Sequence, residues 1–234
     1  MESNTFHAII LQLLRWTHLF FGIAWIGHLY FFNFVQGHAE KALDGPQKKV
    51  VVPNYRGRAF WWFRWSAMIT LLSGVVYILY EQFVATQDMF SGWFTSNQGL
   101  WITFGAGLGL VMWFNVWFKI WPRQQVIIAS IAGKREKPAD FDALVAAAGK
   151  FSRLNTYLSL PMLFGMGARR HFAAFSTTGT IVTMAIVFAV GFAIAFHVVN
   201  QIAGKVGKEF LDAPPPTPAA PPPAAPPAPP PAAK

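Results

Sequence analysis

Cysteine is absent from the 234 residues, and that single absence removes several chemistries at once. Without thiols there is no disulfide, no thiolate metal site, no iron-sulfur cluster and no haem attached through Cys-x-x-Cys-His. Charge is scarce too, with Asp, Glu, Lys and Arg making up 12% of the chain against 54% hydrophobic residues. The sequence holds no Gly-rich phosphate loop ending in Lys-Ser or Lys-Thr, no Gly-x-Ser-x-Gly and no His-Glu-x-x-His. P-loop, serine-hydrolase and zincin readings therefore lack their motifs. Between the apolar runs, no polar stretch is long enough for a sizeable soluble domain.

What remains is the composition of an all-α integral membrane protein, with a mean hydropathy of +0.36. A helix needs about 20 apolar residues to cross the hydrocarbon core. Spans are expected at about 6–34, 60–84, 99–121, 151–168 and 179–202, giving a five-helix bundle over 1–210 and a tail over 211–234. Arg153, Asn155 and Pro161 interrupt the fourth span, and Phe141 to Lys150 reads as an amphipathic surface helix that bends into the bilayer. The first span lacks a basic leader and a small-residue cleavage site, so it is expected to stay as an anchor.

The formal charge of +9 is mostly a topology signal. Lys41, Lys48, Lys49, Arg56 and Arg58 follow the first span, and Arg123, Lys134, Arg135, Lys137 and Lys150 follow the third. The loop from Ala85 to Gln98 has no Lys or Arg; only Arg169 and Arg170 oppose the pattern. The positive-inside rule then predicts a multi-pass protein of the bacterial inner membrane, N-terminus outside and C-terminus in the cytoplasm. The basic loops fit lipid headgroups, and nothing in their pattern calls for nucleic acid. Ala213 to Lys234 is almost wholly Pro and Ala and is expected to extend as a polyproline tether or docking strand.

Aromatics are abundant. Trp61, Trp62 and Trp65 fall where an interfacial belt should lie, and Trp113, Trp117 and Trp121 repeat at helical spacing as a packing stripe. Gly105 and Gly109 form a small-xxx-small pair that permits close helix approach.

Six histidines stand against this apolar background. His7 and His38 fall at the edges of the first span, in interface or solvent. His18 lies near mid-membrane, and His28 about 15 Å further along the same helix. His197 is near the end of the last span, at a depth closer to His28. A neutral imidazole inside a membrane needs a partner, and a haem iron or metal serves several of them. A cofactor-free packing role is the alternative for each one singly.

Arg15-Trp16-Thr17-His18, then Gly22-Ile23-Ala24-Trp25-Ile26-Gly27 and Tyr30-Phe31-Phe32, resemble the opening helix of the bacterial membrane urate oxidase (urate hydroxylase) N-terminal domain. The resemblance continues in Trp62-Phe63-Arg64-Trp65, in Leu72-Ser73-Gly74, in Asn115 to Gln125 and in Ser152 to Phe164. His171 and His197 also fall where that family has histidines. Leu154 stands where the family pattern implies a His, and Ser66 where it implies a Glu. The resemblance thus implies a shortened relative that keeps the His18 and His197 positions, without the family's cytochrome c domain.

The expected function is a haem b-binding electron-transfer subunit of a larger membrane redox complex, with a cytochrome c among the candidate partners. Two of His18, His28 and His197 would be the axial ligands, His197 being one of them. Arg15 and Arg64 would neutralise haem propionates. Arg169, Arg170 and His171 would meet a partner or an anionic substrate. The alternatives are a urate-oxidase-like membrane oxidoreductase and a cofactor-free accessory subunit.

Overall fold

In lipid every backbone polar group has to be satisfied within the chain, so long apolar stretches become helices. The computed structural model describes residues 2–172 and 176–207, with side chains left undescribed at 2–4, 170 and 171. The chain divides into two units, Met1–Gly204 and Lys205–Lys234, and every helix belongs to the first. The expected Pro/Ala tail lies outside the described residues.

Among the described residues seven α-helices follow in order: α1 (Glu2–Tyr30), α2 (Gly37–Ala39), α3 (Gly45–Tyr80), α4 (Asn97–Phe114), α5 (Trp121–Ile131), α6 (Phe141–His171) and α7 (Thr177–His197). Among the described residues there is no strand. Wider π-helical turns continue α1 at Phe31–Gln36, α3 at Glu81–Ala85, α4 at Asn115–Ile120 and α7 at Val198–Ile202. Among the described residues four rods are long and apolar enough to cross a membrane: Thr5–Ala42, Gly45–Ala85, Asn97–Ile131 and Thr177–Ile202. The fifth, α6, carries the polar residues that interrupt the fourth expected span.

Sequence explains where the rods start. Asp44 caps α3 by accepting from Gln47 N at 2.7 Å, while the Gln47 side chain accepts from Asp44 N at 3.1 Å, a reciprocal capping box with Pro46 in the first turn. Ser96 and Ser176 cap α4 and α7 in the same sense, each accepting from the glycine three residues on. The helix that holds the span expected from Phe60 begins at Gly45, where the capping box sets its start ahead of the apolar window. The surface helix expected over Phe141 to Lys150 is part of α6, which runs unbroken through Pro161 to His171.

α1 packs antiparallel on α3, and α4 and α7 both pack on α6, which also reaches α1. Trp25, Leu29 and Phe32 meet Phe60, Phe63 and Ala67 across the first pair, and Met112, Val116, Leu158 and Met162 complete the same core. Phe32 and Phe60 stack at 4.4 Å between centroids. A Cβ on Gly105 would come within 3.0 Å of Met166 N, so α4 and α6 touch backbone to backbone there. Gly109 meets nothing within 4 Å, so within the bundle Gly105 alone of the pair sits at a close helix approach. Gly191 of α7 leaves the room that the Pro161 ring occupies, a Cβ there lying 3.0 Å from Pro161 Cδ. The outer face of α1 carries Ile9, Leu13, Trp16, Phe20 and Ile23, all more than half exposed, as lipid contact requires.

Candidate functional site

The register of α1 on α3 brings polar residues together inside an apolar bundle. Arg15 Nη2 donates to Tyr77 Oη at 2.7 Å, and its guanidinium carbon lies 5.5 Å from the Tyr77 ring centroid. Tyr77 Oη in turn donates to Glu81 Oε1 at 3.4 Å, and Arg169 of α6 donates to Glu81 Oε2 at 2.5 Å. The Glu81 and Arg169 side chains are 11% and 16% exposed, so little water screens the pair. Arg169 thus pairs directly with the Glu81 carboxylate, and Arg15 reaches it through the Tyr77 hydroxyl. At the same end of the bundle His7 Nδ1 lies 2.7 Å from Tyr80 Oη.

One turn along α1 from Arg15, His18 Nδ1 donates to the Thr70 carbonyl at 2.8 Å. A carbonyl can only accept, so the proton sits on Nδ1 and the neutral ring keeps a lone pair on Nε2. Gly74 makes the space for this ring, since a Cβ there would lie 3.0 Å from His18 Cε1 and Nδ1. Orientation of one imidazole nitrogen by a backbone carbonyl is the arrangement that readies the other for a metal.

Next to the Glu81–Arg169 pair lies a polar pocket of 320 Å³, lined by Gln82, Asp88, Trp93, Ser96 and Gln98 among others. The loop over it holds three non-glycine residues at positive φ, Gln87 at 58°, Met89 at 48° and Phe90 at 63°. Such a run costs conformational energy, which the surroundings have to hold in place. Phe90 N donates to the buried Gln82 side chain at 3.2 Å and Met89 N to the Gln82 carbonyl at 3.1 Å, which holds it there.

His28 Nδ1 donates to the Ala24 carbonyl at 2.7 Å, so this ring too keeps its lone pair on Nε2. It lines an apolar groove of 420 Å³ with Gly27, Phe31, Tyr55 and Ala59. At 1.5 Å per residue His18 and His28 stand about 15 Å apart on one helix, too far for a single iron. Tyr30 Oη bonds Ser159 Oγ at 2.9 Å, and Asn200 Nδ2 donates to Tyr157 Oη at 3.0 Å. Those contacts set His197 within about one helical turn of His28 in depth. His197 is nevertheless exposed on α7, which packs on α6 and α4 and not on the α1–α3 pair that forms the groove. Among the described residues no three His, Asp or Glu side chains gather into a metal cage.

Arg64 lies over the Trp121 ring at 4.0 Å from its centroid, with Trp65 and Trp117 at 5.9 and 5.8 Å. Trp117 and Trp121 of the expected stripe thus pack around this arginine. His38, expected in solvent, is half-buried, and a Cβ on Gly204 would come within 3.0 Å of its ring. The side chains of Arg170 and His171 lie outside the described residues. Sequence reading missed Tyr77 and Glu81. Glu81 is the lone acidic residue between positions 60 and 84, and a single carboxylate in an apolar span is itself a signal of a buried partner.

Fold and site together define a helical integral membrane protein with one polar, charge-rich end and histidines at two depths. The model of the Urate oxidase N-terminal family matches residues 77–213, more than half of the chain, and the chain belongs to that family. The matched segment takes in Glu81, Arg169 and His197, while Arg15, His18 and His28 precede it. Comparison with curated proteins gave no match, and comparison with solved structures gave none either.

Proposed function

We propose that this protein is a haem b-binding subunit that passes electrons within a membrane redox assembly, with His18 as an iron ligand. The reading rests on the His18 ring, whose tautomer is fixed by the Thr70 carbonyl and whose place is kept by Gly74. Arg15, whose guanidinium donates to the neutral Tyr77 hydroxyl, suits a carboxylate-bearing cofactor, since a propionate would give it a charged partner. Bound haem supplies one-electron exchange. The chain's own share is to hold a neutral imidazole and two guanidinium groups at fixed places in a dry bundle. Arg64, caged by tryptophans, serves packing in this reading.

The test is a dithionite-reduced minus oxidised spectrum with a pyridine haemochrome assay, on wild type and on the His18→Ala, His28→Ala and His197→Ala variants. A b-type signal in wild type that disappears in His18→Ala is expected. A colourless wild type would leave the accessory-subunit reading in its place.

A second reading has its own observation, the polar pocket against Arg169 at the charged end. A pocket of that size takes a small water-soluble molecule, and in a member of this family the first substrate to try is urate. Turnover by purified protein with an added electron acceptor, lost in Arg169→Ala, would establish an oxidoreductase.

A further inference from the structure

We infer that the groove beside His28 binds a lipid-dissolved hydroquinone. Phe31 and Gly27 on its rim are exposed on the membrane face of α1, so a ligand reaches the groove from the lipid and has to be apolar itself. Its volume of 420 Å³ suits a substituted six-membered ring with the start of an alkyl chain. The Phe31 and Tyr55 rings supply flat apolar walls, and the Tyr55 hydroxyl donates to Glu40, which Arg56 also holds.

Of the side chains that line the groove, His28 and Tyr55 are polar, and the Tyr55 hydroxyl is already donated to Glu40. Because His28 Nδ1–H is committed to the Ala24 carbonyl, the free nitrogen accepts and does not donate. An occupant that bonds this nitrogen must therefore bring a donor. A hydroquinone does, whereas the oxidised quinone presents carbonyl acceptors that would face a lone pair. The groove thus selects the reduced form of a membrane-soluble ring, and it stands about 15 Å along α1 from the His18 position.

The experiment uses the full chain in nanodiscs, titrated calorimetrically with decylubiquinol, with decylubiquinone, and with the dimethyl ether of the quinol, which has the same shape and no donor. Binding of the quinol at least tenfold tighter than either analogue is expected. His28→Leu should abolish that preference. Gly27→Leu should block binding with His28 still present, and position 27 has open space beyond its Cα, so the fold tolerates the change. Equal affinity for the three ligands, or wild-type binding by Gly27→Leu and His28→Leu, would overturn the inference. Haem content of the same samples separates this from the haem proposal. Haem lost in His28→Leu assigns the groove to haem and overturns the quinol, while quinol binding in a colourless protein supports the groove and leaves only the haem reading refuted.

Discussion

A histidine inside a bilayer stays neutral and has to place two ring nitrogens, and His18 places one of them on a carbonyl of the neighbouring helix. Its position then depends on a residue with no side chain. Valine at 74 would push a Cβ to 3.0 Å from the ring and add two methyl groups, so Gly74→Val should displace His18 and remove the haem signal as fully as His18→Ala does. A full-strength spectrum from Gly74→Val would show that the ring is not held there. Glu81 is a second single-residue dependency, because it neutralises Arg169 and accepts from Tyr77. Glu81→Gln leaves guanidinium groups buried without a counter-charge, and the expected loss is about 3 kcal/mol, read from unfolding in detergent. The double variant Glu81→Gln, Arg169→Gln should recover part of it, since the lone charge is then gone. The histidines were legible in the sequence because few residues of that kind sit in apolar runs. Their partners were not. Thr70 contributes a backbone carbonyl that no side-chain pattern announces, and the Arg15 to Tyr77 bond exists only once the register of α1 on α3 is known.

At the scale of helices, apolar length revealed the rods and polar residues revealed how they are joined. Asn115 Nδ2 donates to Asn155 Oδ1 at 2.8 Å, and Asn155 Nδ2 donates to the Met112 carbonyl at 2.9 Å. This clamp ties α6 to the end of α4 and the π-helical turn that follows it. Both asparagines lie in the segments that carry the family resemblance, so these motifs serve helix joining as much as chemistry. Asn155→Leu should cost about 1 kcal/mol and loosen α4 from α6, seen as faster hydrogen exchange around Asn115. The glycine pair shows what spacing leaves undecided. Gly105→Leu drives a side chain into the α6 backbone and should destabilise by about 2 kcal/mol, while Gly109→Leu, facing open space, should be nearly neutral. Spacing gave both glycines the same standing; only the crossing point of α4 and α6 separates them.

Across the whole molecule, one question of charge bears on how the bundle lies in its membrane. Arg169 opposes the positive-inside pattern, yet it is bonded to Glu81 inside the bundle and is largely withdrawn from the aqueous loops that set orientation. With that charge spent internally, the asymmetry strengthens: basic residues cluster where α2 meets α3 and between α5 and α6, and the Ala85 to Gln98 loop has none. The predicted orientation therefore puts the Glu81–Arg169 pocket on the outer side and the helix ends near Glu40 and Arg56 on the cytoplasmic side. The lack of cysteine makes this directly measurable, because any introduced thiol is the only one in the chain. Asp88→Cys and Lys134→Cys lie at exposed positions at opposite ends of the rods, so neither should disturb packing. In intact cells a membrane-impermeant maleimide should label Asp88→Cys and spare Lys134→Cys, and in inverted vesicles the two should exchange. The reverse pattern would turn the molecule over, placing the polar pocket in the cytoplasm, where a soluble cytoplasmic molecule and not a periplasmic one would have to fill it.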